Sequence, residues 1–168
     1  MIEELKLIES WLLNTDGLCI LNIQEEAECK EYDGYNFNVG TLKIKYRKAK
    51  ITPKKIGQFV TLWKRNSRNQ TEPFDIKDSV DFYIIVTQQN DRFGLFLFPK
   101  HVLVENHILT NNGKGGKRGF RLYPDWDIPI NKQAERTKMW QTEYFIDLTS
   151  DVDGNIERFN TLLNQRRK

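Results

Sequence analysis

The sequence predicts an α+β protein: a largely antiparallel sheet flanked by N- and C-terminal helices, in a single domain spanning residues 1–168. Three observations predict it. Apolar residues recur at helical spacing near the two ends of the chain. Between the ends the apolar period shifts to two, the period of a strand with one buried face. The length suffices to bury one core but is short for two.

The elements follow in order. Ile2, Leu5, Ile8 and Leu12 predict an amphipathic helix over residues 2–13, with Gly17 as its stop. Residues 18–33 are compatible with a charged helix or an edge strand. Tyr35, Phe37 and Val39 alternate with polar residues, Gly40 marks a turn, and Leu42, Ile44 and Tyr46 alternate again, which is a hairpin pattern. Residues 58–63 continue in strand-like residues. Phe82 to Val86 is an unbroken apolar run, expected to be a central strand buried on both faces. Asn90-Asp91 turns the chain into a partner strand, Phe93 to Phe98. Residues 102–109 are short and apolar, either strand or helix. Residues 110–119 read as a polar, Gly-rich loop, and Phe120 to Tyr123 as a short strand. Asn131 can cap a helix running to about Leu148, and Ser150 can cap a last helix ending in the basic tail Arg166, Arg167 and Lys168.

Composition narrows the functional classes. Ten Phe, six Tyr and four Trp provide the large rings that build a core. No apolar run has the length of a membrane span, and the N-terminus Met1-Ile2-Glu3-Glu4 is acidic where a secretory signal is basic. A cytoplasmic protein without membrane contact is expected. Cys19 and Cys29 are the only cysteines and read as free thiols. With His101 and His107 as the only histidines, a zinc site is not expected, and no motif implies a cofactor.

Charge is strongly segregated. Residues 1–33 hold nine acids against Lys6 and Lys30, whereas residues 34–71 hold ten bases and no acid. Such segregation concerns partners. On the expected strand, Lys43, Lys45 and Arg47 point away from Leu42, Ile44 and Tyr46. Their spacing of about 6.6 Å approaches the roughly 6.8 Å between phosphates two steps apart on one strand of a duplex. Lys48, Lys50, Lys54 and Lys55 extend this patch, and Lys64 and Arg65 end the next strand. The alternative is a solvated strand face whose lysines discourage edge-to-edge pairing. A second basic stretch, Asn111 to Gly119, mixes glycines with Lys114, Lys117 and Arg118, and Arg121 follows it. Its glycines would let backbone amides approach an anion, or would serve a flexible turn. It lacks the spacing of a P-loop. Trp63, Tyr123 and Trp126 lie near these bases, and Trp126 is the preferred candidate for stacking on a base.

Three stretches carry a family resemblance. They are Lys50-Ile51-Thr52-Pro53-Lys54-Lys55-Ile56-Gly57-Gln58-Phe59-Val60 with Trp63-Lys64-Arg65; Glu72-Pro73-Phe74-Asp75 running into Asp81-Phe82; and Gly116-Lys117-Arg118-Gly119-Phe120-Arg121-Leu122-Tyr123-Pro124, followed by Trp126-Asp127, Asn131-Lys132-Gln133-Ala134, Trp140-Gln141 and Tyr144-Phe145. In content and order these resemble the MepB family of bacterial proteins, over roughly residues 30–148. Asp125 departs from the Pro expected in many relatives. The resemblance implies no settled activity.

The residues therefore support nucleic-acid binding, DNA or RNA, through Lys43, Lys45, Arg47, Lys50, Lys54, Lys55, Lys64, Arg65, Lys114, Lys117, Arg118, Arg121 and Trp126. The alternative is a magnesium-dependent nuclease in which Asp75, Asp78 and Asp81 supply metal-binding carboxylates. Acid-x-Lys pairs occur at Glu4, Glu28 and Asp75, roughly as often as composition alone would place them. A third reading is a protein-interaction module with a basic face.

Overall fold

The computed structural model describes residues 2–149 and 152–165. Helix α1 (Glu3–Asp16) buries Leu5, Ile8, Trp11 and Leu12, and ends at Gly17 in the left-handed conformation that glycine tolerates best. Residues 18–33 become strand β1 (Ile20–Glu25) and a 3₁₀ turn (Ala27–Tyr32). The expected hairpin follows as β2 (Tyr35–Val39) and β3 (Leu42–Lys48), in register from Tyr35 opposite Tyr46 to Val39 opposite Leu42. Four short strands come next: β4 (Lys50–Ile51), β5 (Gln58–Thr61), β6 (Trp63–Arg65) and β7 (Thr71–Pro73). The long hairpin β8 (Phe82–Gln89) and β9 (Arg92–Pro99) turns at Asn90 with positive φ.

Residues 100–105 form helix α2 (Lys100–Glu105). The Gly-rich stretch is itself a hairpin of β10 (Thr110–Asn111) and β11 (Lys114–Gly115), and β12 (Gly119–Leu122) follows. Asn131 caps α3 (Lys132–Thr142) as expected, its side chain accepting the Ala134 amide. That helix stops short of Leu148. The chain turns into β13 (Phe145–Asp147), because the open edge of β9 offers backbone partners and the Phe145 ring fills the space that a side chain at Gly94 would take. Helix α4 (Val152–Leu163) closes the fold. The proposed cap Ser150 and the tail Arg166, Arg167 and Lys168 lie outside the described residues.

The main sheet runs β1-β2-β3-β8-β9-β13, antiparallel except between β3 and β8. It is covered on both faces. On one, Ile44, Ile84 and Leu97 meet Leu5, Trp11 and Phe159 of the terminal helices. On the other, Tyr83, Ile85 and Phe98 meet Val60, Leu103 and Leu122 from a layer made of α2 and the small sheet β12-β5-β4. Hence Phe82 to Val86 is no more than 1% exposed, as the apolar run predicts.

This second layer overturns the expected cation row on β3. The face carrying Lys45 and Arg47 is covered, leaving them 6% and 1% exposed. Both cations turn to Glu26. Its carboxylate accepts both terminal nitrogens of Arg47, each at 2.9 Å, and Lys45 Nζ at 2.7 Å. Lys45 also donates to Asn36 Oδ1 and lies over the Phe74 ring. The surrounding bases are engaged too: Lys48 with Glu4, Lys50 with Glu31, Arg65 with Glu28, Lys64 with Asp78, and Lys43 with the Ser79 hydroxyl. The acidic N-terminal segment thus folds against the basic one. Much of the charge segregation is neutralised within the chain.

Burial raises the pKa of the Glu26 carboxyl, but hydrogen bonding and charge from Arg47 and Lys45 outweigh it and hold the group below its ordinary value. A depressed carboxylate contributes stability above its unfolded pKa of about 4.3, lost as pH falls through the folded value. Urea unfolding should therefore show stability falling as the medium is acidified below the ordinary carboxylate range. Glu26→Gln should remove that component and cost about 3–5 kcal/mol at neutral pH, because two buried cations lose their counter-charge. A second expectation concerns Gln141, wholly buried between α3 and β12. Its Nε2 donates to the Arg121 carbonyl at 3.0 Å and its Oε1 accepts the Tyr123 amide at 2.8 Å. Gln141→Leu should lower stability in the same assay by about 1–3 kcal/mol for each stranded backbone group.

Candidate nucleic-acid interface

Among the described residues several bases have no partner within the chain, and the fold brings three of them, Lys54, Lys55 and Lys117, to one cleft together with Arg121. The loop joining β4 to β5 carries Lys54 and Lys55. Gly57, at φ 87°, ends that loop, and a Cβ there would lie 2.7 Å from the Leu122 carbonyl and 2.9 Å from the Tyr123 ring. Only glycine lets the loop press this closely on the end of β12. Beside it, β12 presents Arg121, whose guanidinium donates to the Ile56 and Gly57 carbonyls and lies over the Phe59 ring. Lys117 sits just ahead of the same strand.

Helix α3 forms the opposite wall. The Gln141 bonds fix its distance from β12. Between the walls lies an open cleft of about 500 Å³. Lys54, Lys55, Lys117 and Arg121 line it, and no Asp or Glu does. Lys54, Lys55 and Lys117 have no side-chain hydrogen bond or ion pair within the described residues. The far wall offers the amides of Asn131 and Gln133, the Trp140 ring and the Ile130 side chain. Burial raises the Tyr123 phenol pKa, with the Arg121 charge partly opposing it. The wall on α3 was absent from the charge-based candidates. The Asn131 to Ala134 and Trp140-Gln141 stretches, which carry part of the family resemblance, supply most of this wall, and none of the residues they place in the lining is charged.

The other candidates take different places. Lys43, Lys45, Arg47, Lys50, Lys64 and Arg65 are bound to partners within the chain, as described above. Lys114 is exposed on the β10-β11 hairpin, outside the cleft lining. Arg118 turns away and grips Thr71, donating to its carbonyl at 2.9 Å and to its hydroxyl at 3.1 Å. The Gly-rich stretch forms no anion-binding nest. Asn112 and Gly113, both at positive φ, make a tight hairpin turn, while the Gly116 and Lys117 amides donate to the carbonyls of His107 and Ile108. Trp126 lies outside the cleft. Its Nε1 donates to Gln89 at 3.0 Å and its ring meets Phe145 edge-on, so packing occupies it.

The three candidate carboxylates shape the loop before β8. Asp75 accepts the Lys77 amide and the Thr110 hydroxyl, which hold its pKa below the usual value. Asp78 accepts Lys64 Nζ and the Asp75 amide, and Asp81 accepts the Lys43 amide. Among the described residues, no group of three or more His, Cys, Asp or Glu is placed to hold a metal ion. No helix among them is long and apolar enough to cross a membrane.

Comparison with known proteins agrees with this architecture. The crystal structure of MepB is similar at a TM-score of 0.77 and 31% sequence identity, over 90% of this chain and 100% of its own. No curated protein matches the chain. The MepB-like family model matches residues 26–147, a span that includes the Glu26 cluster, both walls of the cleft and β13; the chain belongs to the MepB-like family.

Proposed function

We propose that this protein binds nucleic acid, DNA or RNA, through phosphate contacts in the cleft between the Lys54-Lys55 loop, β12 and α3. The carrying observation is that Lys54, Lys55, Lys117 and Arg121, from separate parts of the chain, line one concavity without a carboxylate. Lys45, Arg47, Lys48, Lys50, Lys64 and Arg65, each paired with a carboxylate of the same chain, take no part in it. A phosphodiester chain supplies closely spaced anions, and each contact releases condensed counterions. Arg121 adds directional donors to the mobile charges of the three lysines. Such a protein would act in the cytoplasm, with Cys19 and Cys29 as thiols; both are free in the structure.

The test is fluorescence-anisotropy titration of mixed-sequence oligonucleotides across a salt series. With about three or four phosphates engaged, the logarithm of affinity should fall with the logarithm of salt at a slope of about −2 to −4. Lys54→Ala and Lys117→Ala should each weaken binding and make the slope shallower by about 0.7–0.9. Lys114→Ala and Arg68→Ala remove the same charge outside the cleft and should change little. Arg121→Lys should weaken binding although charge is kept, whereas Arg118→Lys should be nearly silent because Thr71 occupies that fork. A flat salt response, or equal sensitivity at Lys54 and Arg68, would reject the cleft as the binding site.

A further inference from the structure

Two features of the cleft are not required for holding phosphate. One is its shape. At about 500 Å³ it falls within the range of about 300–1,000 Å³ that encloses a small ligand. A duplex keeps its bases stacked inside grooves about 6 and 12 Å wide, so it would offer this concavity only its outer phosphates. The other feature is the far wall. Ile130, 83% exposed, stands at the cleft as an apolar lip. Trp140 is partly exposed there and is backed by Phe98, with ring centroids 5.5 Å apart. Gln133 is exposed beside them. Pro129 and Ile130 thus bring apolar surface to a cleft that four cations also line.

Cations on one side, and an apolar surface with a free amide on the other, match the two sides of an unstacked nucleotide. We propose that the cleft seats an unpaired nucleotide of a single strand. Lys54, Lys55, Lys117 and Arg121 would hold its flanking phosphates, and the base would lie against Ile130 and Trp140 within reach of Gln133. This rests on the nucleic-acid reading above and names its substrate class. Ring and side-chain surfaces suit any base, because every base has an apolar face. A base held inside a duplex cannot reach this wall without leaving its stack, which opposes duplex binding.

The probes are a labelled mixed-sequence single strand, its duplex, and a strand of equal length with abasic sugars, in both deoxy and ribo forms. The unpaired strand should bind at least about fivefold more tightly than either its duplex or the abasic strand. Tighter binding of either sugar form supports the proposal and identifies the preferred sugar. Ile130→Ser and Gln133→Ala change exposed residues, so thermal midpoints should hold. Each should weaken single-strand binding about threefold or more while leaving the salt slope unaltered, unlike Lys54→Ala. Equal affinity for duplex and single strand, equal affinity for the abasic strand, or silence of both wall variants would overturn the proposal and leave the phosphate reading standing. Failure of every oligonucleotide to bind at low salt would remove both.

Discussion

The carboxylate of Glu26 is the interaction on which the arrangement of this molecule turns. A six-stranded sheet with both faces covered must bury both sides of its inner strand β3, yet β3 alternates apolar residues with cations. Burying Lys45 and Arg47 unpaired would cost more than the surrounding apolar contacts return. Glu26 resolves the conflict because the turn after β1 carries it over β3, where it accepts both groups at once. Asn36 Oδ1 on the neighbouring strand accepts a further hydrogen bond from Lys45 Nζ. Gly34 permits the close passage, since a Cβ there would lie 2.6 Å from Cys29 Cβ and 3.1 Å from an Arg47 nitrogen. The layer of β5, β12 and α2 can then pack on this face of the sheet.

That layer in turn builds the cleft. β5 pairs with β12 from Thr61 opposite Gly119 to Gln58 opposite Leu122, and this register brings the loop before β5 beside the chain leaving β12. Gln141 then ties α3 to the end of β12 by two backbone bonds, so the two walls are held at a set separation. Charge neutralisation and cleft formation are linked through the same strands. Acids of the N-terminal segment consume the bases nearest the main sheet, and the bases carried outward on the β4–β5 loop are beyond their reach.

Those distances explain what was legible in the sequence. Period and turn chemistry are local, so both terminal helices, the β2–β3 hairpin, the β8–β9 hairpin and the Asn131 cap could be read directly. The end of α3 could not. Tyr144 and Leu148 continue a helical spacing, and only the free edge of β9, distant in sequence, makes Phe145–Asp147 a strand. The row of Lys43, Lys45 and Arg47 misled for a related reason. Alternation shows that these residues share a face, but whether that face meets water depends on a layer formed tens of residues later. The glycines of residues 113–116 similarly report positive φ and close approach, which both a tight hairpin and an anion nest require. The uncharged wall of Ile130, Gln133 and Trp140 was hidden because charge was the guide to the site.

A free cation is therefore more informative here than a basic segment. The chain spends most of residues 34–71 on internal electrostatics, and a count of bases would assign the whole segment to an external anion. The folded arrangement separates those roles residue by residue. Lys45 and Arg47 have carboxylate, amide or ring partners at short range, whereas Lys54 and Lys55 stand on a loop whose path is fixed by a glycine that admits no side chain. Holding unpartnered cations on a constrained loop keeps like charges near one another, an arrangement that disfavours the empty cleft and lowers the cost of bringing an anion in. The same constraint places those charges opposite an apolar wall. For the nucleic-acid ligand proposed above, attraction at the cleft would combine a salt-sensitive part from the phosphates with a salt-insensitive part from the base, the two carried by different residues.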